Sequence, residues 1–387
     1  MARVIEVFLA FLGLGLSSFG GPVAHLGYFR QAFVVRRQWL SDADYADLVA
    51  LCQFLPGPAS SQVGMAIGQK RAGLAGAFAA WLAFTLPSVV ILYLVALGAN
   101  LWNGVLAQGV LHGLKLAALA VVAQAVWMMA VRLAPDWPRR LVALAVAASV
   151  LLLDWTAMPV IAVGLAAIGG AVLSQAKPVP AVALRSPHPA ALAALIATGV
   201  LLVALPLLAL TGNPVLALID RFYRAGALVL GGGHVVLPLL ENELVTPGLI
   251  DRDLFLAGYG AAQAVPGPLF SFAFYAGALL KGWPNGILGG TLALLAIYLP
   301  GTLLVLGGLP YWERLRNVPR LRAGLDMANA ATVGLLCAAL YTPVFTSAVR
   351  GPWDVAVALL AMLALHRLPP WLMVILCGGI GALITLI

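Results

Sequence analysis

Gln53-Phe54-Leu55-Pro56-Gly57-Pro58-Ala59-Ser60-Ser61-Gln62 returns 210 residues later as Gln263-Ala264-Val265-Pro266-Gly267-Pro268-Leu269-Phe270-Ser271. A Pro-Gly-Pro cannot lie inside a regular helix. Each proline lacks a backbone donor and clashes with the preceding turn, and the glycine adds freedom. The same break in two matched apolar segments marks places where backbone groups are released from helical pairing.

The surrounding chain says what those segments are. Of 387 residues, 63% are hydrophobic and 9% charged, with mean hydropathy +1.02; a soluble domain carries about 25% charged residues. Apolar stretches of about 20 residues recur along the whole length, the pattern of bilayer-spanning helices. Membrane strands would instead give alternating segments of about ten residues. The fold class is therefore an all-α polytopic membrane protein. The net charge of +8 sits mostly between the apolar segments, where loop Lys and Arg orient helices, so no nucleic-acid partner is expected. Cys52, Cys337 and Cys377 have no metal or redox spacing and read as small core residues. Glu6 and the lack of a small-residue cleavage site argue against a removable signal peptide.

Four short pieces come first. Residues 4–18 end at Ser17-Ser18-Phe19-Gly20-Gly21-Pro22, and 23–37 follow with His25, Arg30, Arg36 and Arg37. A helix capped by Ser41 runs to the Pro-Gly-Pro, and 59–69 resume after it. Each piece would span roughly 16–23 Å, short of a hydrocarbon layer about 30 Å thick. Longer segments follow at 74–97, 105–131, 141–153 and 158–173. The pattern divides the chain into an N-terminal repeat (1–175), a proline-rich linker (176–189), an extra transmembrane helix (190–213) and a C-terminal repeat (214–387). In the second repeat Gly231-Gly232-Gly233-His234 answers Gly20-Gly21-Pro22, and Leu299-Pro300-Gly301 answers Leu86-Pro87-Ser88. Gly324-Leu325-Asp326 answers Gly113-Leu114-Lys115.

Basic residues separate two layouts. With Lys115 set aside as intramembrane, treating every piece as a crossing divides the others 14 to 7 between the faces, whereas re-entrant hairpins turning at the breaks divide them 16 to 5. The positive-inside rule prefers the hairpins. Either layout puts the N-terminus in the cytoplasm and the C-terminus outside. An odd number of crossings separates the repeats, so they are inverted, with broken or re-entrant helices meeting near the midplane, the plan of a secondary transporter.

Irregular backbone at that depth persists only inside protein or beside a water-filled cavity. Helices restarting after the breaks offer free N–H groups and a positive dipole end, suited to a compact oxyanion. The candidate substrate-binding set is Ser18, Gly20, Gly21, Pro22, Gln53, Pro56, Gly57, Pro58 and Ser60 from the first repeat, with Gly232, Gly233, His234, Gln263, Pro266, Gly267, Pro268 and Ser271 from the second. The plainer alternative is that the breaks bend helices for packing. Lys115 and Asp326, at equivalent intramembrane positions, read as a mutual ion pair or as an anion attractor and a proton exchanger; snorkelling to an interface is the bland reading. Arg30 would raise the potential at the cytoplasmic mouth. His25, His112 and His234 each read first as structural hydrogen-bonding groups, and Trp39, Trp102, Trp283 and Trp312 as interface anchors. No nucleophile motif, carboxylate pair or metal spacing suggests an enzyme, and no metal or cofactor is expected.

Phe19-Gly20-Gly21-Pro22, Trp39-Leu40-Ser41, Gln53 through Pro58, Gly231-Gly232-Gly233-His234-Val235-Val236-Leu237-Pro238 and Gln263 through Pro268 carry a resemblance. The chain resembles the chromate ion transporter family in its long, two-domain form; Leu230 stands where many relatives carry phenylalanine. The resemblance implies efflux of chromate from the bacterial cytoplasm across the inner membrane, driven by the proton motive force, with sulfate as a competing analogue. The expected partners are chromate or a sulfate-like oxyanion, protons and the lipid bilayer, with a homodimer as one admissible assembly. A sulfate transporter and an anion channel stand as alternatives.

Overall fold

The computed structural model describes residues 1–98, 104–153, 155, 157–174, 189–230, 232–312 and 318–384. Trp102, Gly231 and linker residues 176–188 lie outside these. The first repeat contains α1 (Ala2–Ser17), α2 (Gly21–Phe29) with a π-helical extension Arg30–Arg36, and α3 (Asp42–Phe54). Next comes α4 (Ala59–Gly98), which bends at Ala72 and Gly73 into arms 59–71 and 74–98. Helices α5 (Val105–Leu133), α6 (Trp137–Leu152) and α7 (Met158–Leu173) complete it, and α8 (Pro189–Ala209) has no counterpart there.

The second repeat follows the same order. Helix α9 (Pro214–Leu228) leads into a 3-10 turn, α10 (Val236–Leu240) and a π turn at Glu241–Val245. Then come α11 (Arg252–Ala264), α12 (Phe272–Ala278) and α13 (Gly286–Gly308). The last three long helices are α14 (Pro319–Ala339), followed by a π turn at Leu340–Phe345 and a single turn at Thr346–Ala348, then α15 (Pro352–Ala364) and α16 (Pro370–Ile384).

The short pieces fold as hairpins. Arg71, at the end of the first arm of α4, pairs with Glu6 at the start of α1 at 2.9 Å. Lys70 reaches Asp44 at 3.3 Å, and Arg30 reaches Asp42 at 2.7 Å. These pairs gather the outer ends of all four pieces on one face, here called the first face. The Asp44 carboxyl is held below the usual carboxylate range by the Ser41 hydroxyl and then by Lys70. The inner ends stop at mid-depth: a Cβ on Gly15 would stand 2.8 Å from the Phe84 carbonyl oxygen, halfway along the second arm of α4. Phe11, Phe29, Phe33 and Phe84 fill the space between the hairpin limbs, with Phe11 stacked on Phe33 at 4.7 Å.

The arm 74–98, about 37 Å long, crosses to the opposite, second face. Helix α5 returns to the first face, where Arg139 of α6 meets Asp326 of α14 at 2.9 Å. Ala191 and Leu195 of α8 pack on Gly307 near the first-face end of α13. Counting crossings, α9 therefore enters from the second face, where Lys281 N–H donates to the Leu249 carbonyl at 2.8 Å. Five helices are long and apolar enough to cross a bilayer among the described residues. Leu94, Leu144, Leu165, Ile168, Val203 and Leu363 are each more than half exposed, as a lipid-facing surface requires.

Contacts between the repeats are reciprocal. Gly113 of α5 backs onto the Cys377 carbonyl of α16, while Gly324 of α14 backs onto the Ala167 carbonyl of α7 at 2.8 Å. Within each repeat, Gly15 against Phe84 in the first is answered by Gly226 against Ile297 in the second. Small residues at these crossings let backbones approach where lipid supplies no hydrophobic drive. Leucine at Gly226 would meet the Ile297 backbone, and Gly226→Leu should destabilise the protein by about 1–3 kcal/mol or more. Gly164→Ala, in open space on α7, should leave the melting temperature in detergent unchanged; equal melting of both variants would refute this packing.

Candidate functional site

The four breaks meet. The Gly57 N–H donates to the Val229 carbonyl at 2.8 Å, and the Gly267 N–H donates to the Ser18 carbonyl at 2.9 Å. Each Pro-Gly-Pro thus bonds to the last turn before the glycine-rich break of the other repeat. The glycine-rich breaks also touch, since a Cβ on Gly233 would lie 3.6 Å from Pro22 Cγ. Gly57 has φ +119° and Gly267 φ +99°, conformations that only glycine adopts without strain. A Cβ on Gly57 would lie 3.1 Å from Gly301 Cα, and one on Gly267 would lie 3.1 Å from Ser88 Oγ.

Polar side chains ring this junction. His25 bridges both first-repeat breaks, with Nδ1 3.3 Å from Ser60 Oγ and Nε2 3.2 Å from the Ser18 carbonyl. Gln62 Nε2 donates to the Pro56 carbonyl at 2.8 Å and to the Gly301 carbonyl at 3.2 Å. Ser271 Oγ lies 2.6 Å from Ser88 Oγ, and its repeat counterpart Ser61 Oγ lies 3.5 Å from the Tyr298 hydroxyl. His234 Nδ1 lies 2.9 Å from the Tyr259 hydroxyl. Among the described residues Ser18 Oγ is a buried donor without a partner, while Thr85 and Gln263 reach the Tyr298 and Tyr259 hydroxyls. Leaving such a group unsatisfied costs about 1–3 kcal/mol, so a ligand with several acceptor oxygens would relieve it. Ser18, Ser60, Ser61, Gln62 and Ser271 are all shielded from solvent.

Some residues singled out in the sequence lie elsewhere. Gln53 is exposed at the end of α3 and accepts from Arg132 at 3.0 Å. It lines a cavity of about 440 Å³ with Asp47, Phe54, Arg322, Asp326 and Asn329. Arg30 is committed to Asp42 at the surface. Lys115 and Asp326 do not pair with each other. Lys115 Nζ contacts Asp253 at 2.9 Å and Asp326 contacts Arg139, because equivalent residues of an inverted pair sit toward opposite faces. Lys115 is buried, so snorkelling to open solvent does not describe it. His112 bonds Asp354 at 2.7 Å. Sequence reasoning missed Ser88, Thr85, Tyr298 and Gly301 as neighbours of the breaks. The match of Leu86-Pro87-Ser88 to Leu299-Pro300-Gly301 carried that signal, since each stretch contains a mid-helix proline followed by a residue, Ser88 or Gly301, that meets a Pro-Gly-Pro glycine.

A profile of the chromate transporter family matches residues 5–172 and 216–382. The chain belongs to that family. The two matched segments correspond to the two copies seen in the fold. Similar chromate transporter sequences include the chromate transport protein of Cupriavidus metallidurans, 29% identical over 94% of this chain and 87% of that protein. The probable chromate transport protein of Synechococcus elongatus is 27% identical over 97% of this chain and 88% of its own length. A chromate transport protein of Pseudomonas aeruginosa is 27% identical, covering 86% of this chain and 79% of that protein. No solved structure matches the chain.

If the crossed glycine bonds build the site, Gly57→Ala and Gly267→Ala should each cut solute transport by about tenfold or more, with melting lowered by backbone strain of about 1–3 kcal/mol but folded protein still recovered. Full transport by both would remove the breaks from the site.

Proposed function

We propose that this protein is a secondary transporter exporting chromate, driven by the proton motive force. The observation carrying this reading is the four-break junction, where two repeats cross-bond and leave the buried Ser18 hydroxyl unpaired beside restarting helices. Such a site holds a tetrahedral dianion by dipoles and neutral donors. Its substrate-binding groups are the break residues with Ser18, Ser60, Gln263 and Ser271, joined by Thr85 from α4. Chromate comes from the relatives' names. Sulfate is the second reading, because hydroxyl and backbone donors serve both dianions alike. A carrier is favoured over a channel by the burial of the junction, where Ser18 and Ser271 are inaccessible. The first face is assigned to the cytoplasm, since Arg36, Arg37, Lys70, Arg71, Arg139 and Arg140 gather there, in the inner membrane of a bacterium.

Lys115 supplies positive potential to the path of the anion, and Asp326, within reach of solvent through the α3–α14 cavity, exchanges protons. Proteoliposomes should move chromate faster with an imposed pH gradient than without one, and labelled sulfate competition should rank the two anions. Flux indifferent to the gradient would refute the coupling. Lys115→Ala and Asp326→Asn should each lower chromate flux while leaving expression unchanged; wild-type flux in both would exclude them from the mechanism. Cells producing the protein should accumulate less chromate than controls.

A further inference from the structure

The two repeats match in sequence order but differ in how one helix pair closes. On the second face α11 rests on α5: Gly260 backs onto the Leu114 carbonyl at a Cβ distance of 2.5 Å. Lys115 and Asp253 tie the same two helices near that face. Repeat symmetry maps α5 onto α14 and α11 onto α3, so Leu114 and Gly260 correspond to Leu325 and Ala50. Those two residues do not touch in this way; both line the cavity of about 440 Å³ between α3 and α14. Asn329 lines that cavity, whereas its counterpart Ala118 is fully buried. The cavity reaches Gln53 and Phe54, just ahead of the first Pro-Gly-Pro. Beside the packed α5–α11 pair lies an apolar groove of about 420 Å³, lined by Leu114, Ala261 and Ala264 with Val374 of α16. One of two equivalent gaps therefore holds a polar cavity open to the first face, and the other is shut by helix packing. A buried ammonium tied to a half-exposed carboxylate holds the shut one, and removing one partner of such a pair leaves an uncompensated charge.

We infer that this is the first-face-open member of a two-state pair, in which opening of α11 from α5 accompanies closing of α3 on α14, with Lys115–Asp253 as the latch of the shut gap. Symmetry gives the second state without new architecture, because the repeats exchange conformations. The latch assigns Asp253 a gating role that the charge pattern alone did not disclose. The inference rests on the transport reading above, yet its test needs no substrate.

In a background with Cys52, Cys337 and Cys377 replaced by alanine, single cysteines at Asn329 and Ala118 report the two gaps to a membrane-impermeant thiol reagent. With the latch intact, Asn329→Cys should label from the first face and Ala118→Cys should resist label from the second. Adding Asp253→Asn, or separately Lys115→Gln, should raise Ala118→Cys labelling and lower Asn329→Cys labelling by about tenfold, the scale of a two-state equilibrium rebalanced by one ion pair. Asp253 is half-exposed, so its variant keeps the test alive if Lys115→Gln misfolds. The inference is overturned if Ala118→Cys stays shielded in a folded latch variant, or if it labels while Asn329→Cys labelling holds, which describes a pore open at both ends. Failure of the transport reading would look different: absent chromate flux in vesicles of the wild-type protein, whose latch is intact, with the labelling exchange still seen in the latch variants.

Discussion

Two crossed hydrogen bonds, Gly57 N–H to the Val229 carbonyl and Gly267 N–H to the Ser18 carbonyl, tie the repeats together at their least regular points. At bilayer depth a freed backbone group has no water to fall back on, so each break must find a partner in protein. Each repeat supplies the acceptor that the other needs. That mutual requirement explains why the hairpins stop at mid-depth and why glycine occupies both positive-φ positions. It also explains why residues 210 apart in sequence occupy one small volume.

The rest of the fold supports that junction. Basic residues anchor the outer ends of the first-repeat hairpins to acidic partners on one face, as in Arg71–Glu6 and Lys70–Asp44. Glycine and alanine at the crossings, among them Gly15, Gly226, Gly113 and Gly324, bring backbones close enough to hold the hairpins between full-length helices. Mid-helix prolines in α4 and α13 place Ser88 and Gly301 against the opposite Pro-Gly-Pro. The two repeats are equivalent in plan but not in state. One interhelical gap is filled by a Gly260–Leu114 contact and an ion pair, and its counterpart holds a cavity.

Much of this was legible in the residues. The helical membrane class followed from long apolar runs. The duplication followed from matched Pro, Gly and Gln rather than from apolar similarity, and the hairpins followed from the distribution of Lys and Arg. These features are local or compositional: a proline breaks a helix wherever it sits, and a charge prefers water on whichever side it lies. The break residues, which make up most of the candidate site, were identifiable for the same reason.

Only the tertiary structure decided who faces whom. Lys115 and Asp326 align in sequence, but inversion turns equivalent positions toward opposite faces, so each found another partner. Gln53 and Gln263 align as well, yet Gln53 meets Arg132 in an open gap while Gln263 is half-buried. Ser88 lies in a matched Leu-Pro stretch and Thr85 and Tyr298 stand beside one, but what they touch is set by helix crossings, which depend on packing across distant segments. The sequence alone determined two inverted repeats with broken helices. The contacts between them, and which gap stands open, belong to the fold, because both arise from pairs of surfaces that one repeat by itself does not contain.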